Sequence, residues 1–456
     1  MRNLLFSAST LIALGLAACS GTDSTPGSTN HGSDMARSDL SRAPAESVSA
    51  DTLAGTVAAN NAFTFDLYGR ILEEHAGGNV VASPLSVSLA LSMTYAGALG
   101  DTASQMASVL HFGAGLDAHA GQNALDQALE SRAAAALERA AQEAMSSGAE
   151  APSPDDFRLH IVNSVWGDGT YSWEQPFLDT LAVDYGTGVR LADFIHQPDV
   201  ERVRINDWVS AETKHKINDL IPEGALTPDS RLVLVNAMHL KMPWANPFSE
   251  DQTEAGSFTT GSGNSVNAQF MKQDKESRYY EDEHAQLISL PLAGEAMSLV
   301  VALPKATLGG FEAGLDAAAF KAMLDGRAYH RVDLALPRFK FTSDSLSLGK
   351  ILKEAGMTEA FDDGAANFLG MCAEPPNGER LFISDVVHKA MMAVDEMGVE
   401  AAAATAVIAA GSTSVPTEDP IVLRFDRPFM VAIVDEVTGA LLFVGHIQDP
   451  TAEGGS

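Results

Sequence analysis

An α+β fold is what the 456-residue sequence predicts, on three observations. Apolar residues recur at a spacing of four, as in Phe63, Leu67 and Ile71, which sets them on one face of a helix. Other runs alternate apolar and polar residues. VDLALPRFKF is one, with Val332, Leu334, Leu336 and Phe339 or Phe341 on one face of a strand. The C-terminal run IVLRFDRPFMVAIVDEVTGALLFVGHIQDP reads as strand, turn, strand, with Thr438-Gly439 as the hairpin. A hydrophobic content of 46% supplies a large core, and length alone suggests two or three domains.

In chain order, residues 1–18 carry one basic residue and an apolar run from Leu11 to Leu16, too short for a membrane span. Leu16-Ala17-Ala18-Cys19 resembles a bacterial lipobox, so 1–18 is expected to be a removable signal and Cys19 a lipidated N-terminus. Ser20 after the cysteine fits an outer-membrane destination, periplasmic or at the cell surface. Ser20 to Thr52, rich in Ser, Thr, Gly, Asp and Pro, reads as a flexible tether, which puts the globular domain at 53–450 and a tail at 451–456. A first helix ends before Gly77-Gly78. A strand, Val80 to Ala82, meets Ser83-Pro84, where proline starts a helix running to Ala98–Gly100. Between His119 and Asp156, Leu125, Leu129, Ala133, Leu137, Ala141 and Met145 predict a long surface helix with a thin apolar stripe. Strands and helices alternate from 159 to 248. Two alternating strands and the buried AMSLVVALPK follow, then VDLALPRFKF, then a helix over SLSLGKILKEAGMTEAF that stops at Gly356.

A net charge of −31 excludes nucleic acid and glycosaminoglycan as partners; the long helix offers only Arg132 and Arg139 among many acids. No nucleophile elbow, zinc-protease or phosphate-loop signature is present, and the 12 histidines lack ligand spacing, so no catalytic residue, metal or cofactor is assigned. With Cys19 acylated, Cys372 has no disulfide partner and reads as a buried thiol. A lipid-anchored solute-binding protein would suit the N-terminus but leaves 394–416 unexplained.

That stretch, VDEMGVEAAAATAVIAAGSTSVP, has two readings. Alanine is the best helix former, so Ala401 to Ala410 could be a packed helix. Against it, no N-cap stands in place and no polar face recurs after Glu400. The other reading is a loop small enough to slide into a sheet, with Val399, Ala401, Ala403, Thr405, Val407 and Ala409 on the core face and Glu400 opposite.

The run Glu396-x-Gly398-x-x-Ala401-Ala402-Ala403-Ala404-Thr405-Ala406 resembles the reactive-centre hinge of the serpins, a family of serine-protease inhibitors. The resemblance extends from about Phe63 to Pro450, through the run NVVASPLSVSLALSMTYAGALGDTASQM and through Asn163, Trp166, Asn206, Trp208, Asn236, Trp244, Phe425 and Pro428-Phe429. It implies the serpin fold, with three β-sheets, surrounding helices and an exposed reactive-centre loop. It further implies hinge residues Glu396, Gly398, Val399, Glu400 and Ala401–Ala404. A scissile bond is implied at Ser412-Thr413, within a range of Ile408 to Ser414 because the loop is slightly long. Ser83, Ser86, Asn163, Asn236 and His388 match the family's shutter, and Trp244 its breach. Met242-Pro243 departs from the usual glycine after Lys241 and is expected to bend the strand or end it.

The function implied is that of a monomeric inhibitor and not an enzyme. A serine protease, or a cysteine protease, would be trapped as the cut loop inserts into the central sheet. Before cleavage Val399 and Ala403 would lie in an exposed or barely inserted loop. Absence of Arg and Lys from the loop points to elastase-like or subtilisin-like targets. The alternative is a non-inhibitory serpin acting as carrier, chaperone or protease substrate.

Overall fold

The computed structural model describes residues 34–75, 77–400 and 419–454. The first half of the described chain contains β1 (Met35–Ala36), α1 (Ala50–Glu74), β2 (Val80–Ala82), α2 (Pro84–Tyr95), α3 (Gly100–Val109), α4 (Ala118–Ser147), β3 (Arg158–Asp168), α5 (Gln175–Tyr185), β4 (Val189–Ala192), α6 (Pro198–Glu212) and β5 (Leu232–Pro243). Next come β6 (Glu254–Thr259), β7 (Ser265–Glu281), β8 (Ala285–Pro291), β9 (Met297–Pro304), α7 (Leu308–Glu312), α8 (Ala317–Asp325), β10 (Ala328–Pro337), β11 (Phe339–Thr342), β12 (Leu346–Ser347) and α9 (Gly349–Glu354). The last strands are β13 (Ile383–Val394), β14 (Gly398–Val399), β15 (Ile421–Arg424), β16 (Phe429–Asp435) and β17 (Leu441–Ile447).

A central sheet runs β1-β4-β3-β5-β14-β13-β11, with β12 also on β13. A second sheet of nine strands runs β15-β10-β7-β8-β9-β16-β17-β2, with β6 also on β7. Three sheets were expected; pairing is continuous through two because β7, 17 residues long, serves β6 with its first part, β10 with its middle and β8 with its last. Every residue of α2 from Pro84 to Thr94 is buried, as its lack of any charged face demands. Strand β5 is buried along nearly its whole length, with Met238, Leu240 and Met242 in one core cluster and Val233, Val235 and Ala237 in another, on alternate sides.

Several expectations need correction. The tether was to reach Thr52, but from Met35 the chain is docked. Met35 and Ala36 pair with Arg190 and Val189 at the sheet edge, Ser38 Oγ donates to Asp179 at 2.6 Å, and Arg42 reaches Asn123 at 2.8 Å and Asp126 at 2.5 Å. Gly188 makes this possible, since a Cβ there would lie 2.3 Å from the Ala36 carbonyl. Helix α1 then starts at Ala50, with Ser49 capping the Thr52 N–H at 3.1 Å. Backbone pairing and polar side chains do the docking, and a count of apolar residues does not register them. At the other end the tail is not free, since Thr342 N–H donates to Glu453 O at 3.1 Å.

VDLALPRFKF is two strands in two sheets. Pro337 closes β10 opposite Phe270, and Phe339 opens β11 opposite Val394. The α4 stripe also drifts: a strict spacing of four turns about 40° per step, so Leu125, Leu129 and Ala133 are buried while Met145 is 76% exposed. Arg132 on that helix is paired with the buried Asp435 at 2.8 Å. Residues 1–18, Cys19 and 20–33 lie outside the described residues, as do 401–418.

Candidate functional site

Strands β5 and β13 run parallel as direct neighbours from Leu232↔Ile383 to Met238↔Ala390. Further up the two separate and β14 lies between them, antiparallel to both: Gly398↔Pro243 and Val399↔Met242 on one side, Val399↔Val394 on the other. The turn that returns the chain is built on Asp395, whose Oδ1 accepts from Met397 N–H at 2.8 Å and Gly398 N–H at 3.2 Å. Trp244, 3% exposed, holds that turn. Its N–H donates to Met397 O at 2.9 Å and its Nε1 to Asp395 O at 2.8 Å. Pro243 ends β5, and its carbonyl accepts from Ala293 N–H at 2.8 Å outside the ladder.

Alternation assigns the side chains of the residues expected to form the hinge. Val399 is 2% exposed and belongs to the core cluster of Met242 and Val394. It is therefore seated in the sheet: of the exposed or barely inserted position expected for it, the inserted one is found, in a strand of two residues. Glu400 points to the other face, with its backbone at φ +48° and its N–H donating to Ala393 O at 2.8 Å. Its carboxylate lies 2.8 Å from both Lys216 Nζ and His239 Nε2. Burial acts to raise the Glu400 pKa, but these two contacts outweigh it and hold the carboxyl below its usual range. Glu396, 3% exposed, is gripped by Thr253 and by Arg338, whose Nε lies 2.5 Å from Oε1. Burial pushes the Asp395 carboxyl up, against the two backbone N–H bonds it accepts.

Below the parting, Asn163, Asn236 and His388 stand side by side on β3, β5 and β13, in register. Asn236 Nδ2 donates to Asn163, while Asn236 Oδ1 accepts from His388 Nδ1 at 2.6 Å and Ser86 Oγ at 2.8 Å. Ser83, ahead of Pro84 at the start of α2, closes the cluster from beneath. Its N–H donates to His388 Nε2 at 3.0 Å, and its Oγ turns from capping to donate to Leu442 O at 2.7 Å. A backbone N–H can only donate, so Nε2 accepts and the His388 proton sits on Nδ1. The ring is therefore neutral, and burial pushes its pKa down to about 4. Ser83, Ser86, Asn236 and His388 are fully buried; Asn163 is half-buried.

All five polar residues singled out from the sequence thus meet across one seam, and Trp244 meets the hinge at its upper end. Ala401–Ala404, the bond Ser412-Thr413 and the range Ile408 to Ser414 lie outside the described residues, as does the helix reading of 401–410. Missed were Lys216, His239, Arg338, Thr253 and Asp395. His239 had a signal, since alternation from Asn236 puts it in line with Val233, Val235 and Ala237, on the face covered by α6. Lys216 follows α6 in irregular chain and had none. A strand continued downward from Glu400 would run antiparallel to both neighbours and enter where β5 and β13 now pair with each other.

Comparison with known proteins places this geometry. The family profile described as serpin (serine protease inhibitor) matches residues 58–450. The chain is 34% identical to an uncharacterized serpin-like protein of Thermococcus kodakarensis, over 86% of this chain and 85% of that one. It is 30% identical to the human leukocyte elastase inhibitor, over 86% and 98%. The native-state structure of tengpin, a thermophilic serpin, superposes with a TM-score of 0.74 at 23% identity, covering 91% of this chain and 97% of that one.

Proposed function

The chain belongs to the serpin family, and on that premise we propose that it inhibits serine endopeptidases, with cysteine endopeptidases as a second target class, by trapping them through insertion of its own cut loop. One observation carries the reading: β14 already occupies the parted top of the seam in the register an inserted strand needs. In this reading the protease nucleophile attacks a carbonyl carbon between Ile408 and Ser414. The peptide C–N bond breaks, the proton goes to the leaving amine, and an ester or thioester joins the N-terminal arm to the protease. The arm then threads downward from Glu400, replacing the β5–β13 pairing and parting His388 from Asn236. Gly398 to Ser412, at about 3.3 Å per residue, spans about 50 Å, which is how far the acylated end would be carried.

Small and apolar residues on both sides of the candidate bond, with no Lys or Arg between 394 and 420, favour elastase-like or subtilisin-like enzymes. The similarity to a leukocyte elastase inhibitor points the same way. A lipidated Cys19 at the outer membrane belongs to the same proposal and rests on Leu16-Ala17-Ala18-Cys19 alone. Labelling with a radioactive fatty acid tests it, and a Cys19→Ala protein that still takes up label removes it.

Mixing the protein with an elastase and with a subtilisin tests inhibition directly. An SDS-resistant covalent complex is expected. Ala403→Pro should abolish the complex while the loop is still cut, because proline removes a ladder donor from what would become a central strand. Complete cleavage with all protease recovered active, by the unaltered protein, would make it a substrate and not an inhibitor.

A further inference from the structure

On the side of the molecule formed by α1, the α7 segment and the start of β16, away from the seam, lies a cleft of about 770 Å³, within the size range of small-molecule sites. Residues 65, 68, 69, 72 and 73 of α1 line it at helical spacing, so a continuous face of that helix looks into open space. Phe65 and Leu72 form one apolar wall, Leu308 and Leu315 the other. At its inner end is a buried cluster that plays no part in the mechanism above. Tyr68 OH donates to Glu312 Oε1 at 2.6 Å, and His446 Nδ1 meets the same oxygen at 2.8 Å. His446 Nε2 lies 3.0 Å from the Gly78 carbonyl.

The Glu312 side chain is only 5% exposed, yet both of these contacts fall on Oε1. Its Oε2 has no partner among the described residues and lines the cleft as a bare acceptor. Oε2 is not one of the buried atoms left without a partner, so it keeps contact with the open space of the cleft, where a donor from water or from a ligand can reach it. Glu73, at the rim, makes no ion pair among the described residues. Arg427 is the cation of the lining, and it is engaged by Asp426 at 3.4 Å and by the Pro304 carbonyl at 3.0 Å. The net field of a chain of charge −31 also favours a cation.

We propose that this cleft binds a small amphipathic amine, its ammonium donating to Glu312 Oε2 and its apolar body lying between the α1 and α7 walls. Gly69 makes the proposal testable without touching the buried cluster. Nothing lies within 4 Å of a Cβ placed there, so a larger side chain fits the fold and fills the ligand space.

The probe is 2-phenylethylamine, titrated calorimetrically into the uncleaved full-length protein in detergent, with 3-phenylpropionate and 2-phenylethanol alongside. Saturable binding of the amine is expected, at least about tenfold tighter than that of either neutral or anionic analogue, a margin of about 1.4 kcal/mol. Gly69→Leu should weaken the amine by at least about tenfold while the melting temperature holds or rises, since leucine is the better helix former. Glu73→Gln, on the exposed rim, should weaken it severalfold and serves if the leucine variant does not fold. Equal binding of the acid, no saturable binding of the amine, or unchanged affinity in whichever variant folds overturns the proposal. None of these readouts depends on protease inhibition, so the two readings fail separately.

Discussion

The two halves of the seam between β5 and β13 are held shut and held open by opposite kinds of chemistry. Its closed part, around Asn236 and His388, is neutral, fully buried and joined by hydrogen bonds that converge on Asn236 Oδ1, which accepts from both Ser86 and His388. Its parted top is charged: Glu400 faces Lys216 and His239, and Glu396 faces Arg338. A neutral network is strong only while complete, because each lost partner leaves a buried group unsatisfied. The two carboxylates are buried, but their cations Lys216 and Arg338 are 45% and 42% exposed, so water can replace the lost partner of each cation. The sheet is thus built to yield from the top.

The largest effect should come from breaking the neutral half. Asn236→Ala removes the acceptor shared by Ser86 and His388 and the donor to Asn163, and should cost about 3–4 kcal/mol in the denaturation midpoint of the uncleaved protein. A loss under about 1 kcal/mol would mean the cluster is incidental.

Acid should separate the halves. The folded His388 pKa of about 4 lies below the ordinary 6.5, so the neutral ring's contribution is whole above pH 6.5 and is lost as pH falls towards 4. At 1.36 kcal/mol per unit the full loss is about 3 kcal/mol. Glu400, depressed below its usual 4.5, keeps its contribution down to about pH 4.5 and loses it as pH falls further. Stability of His388→Gln should be nearly flat from pH 6.5 to 4.5 where the parent falls; parallel curves would remove His388 as the cause.

Two smaller changes probe the border. Val399→Arg should cost the uncleaved protein about 2 kcal/mol, because that side chain is already in the core. Ala403→Pro, by contrast, should cost within about 0.5 kcal/mol. Equal costs, read from urea midpoints, would place the border elsewhere. Glu400→Gln should lower stability by about 1 kcal/mol, and high salt should shrink the difference between it and the parent.

How much of this was legible in the sequence follows from the range of the interactions. Helix and strand periods placed α1, β2, α2 and the β16–β17 hairpin, since each depends on neighbours in the chain. Family resemblance brought forward Ser83, Ser86, Asn163, Asn236 and His388, but their partners depend on register across β3, β5 and β13, which no local pattern states. The docking of 35–49 was illegible for another reason: it rests on backbone pairing and on Ser38 and Arg42, residues whose composition reads as solvated chain. Likewise Asn60, Ser88 and Gln122 form a buried polar knot between α1, α2 and α4 that nothing in their spacing announces.

Pro243 carries one more consequence. It stands opposite Gly398 and turns its carbonyl to Ala293, while one residue on the Trp244 N–H donates to the Met397 carbonyl and Trp244 Nε1 to the Asp395 carbonyl, so the turn above β14 is pinned in one register. Under the proposed insertion the strand would start like a zip whose first tooth is already engaged, with its phase fixed before any bond is cut. A slip of one residue would drive the Glu400 carboxylate into the place of Val399 and turn every following side chain to the wrong face.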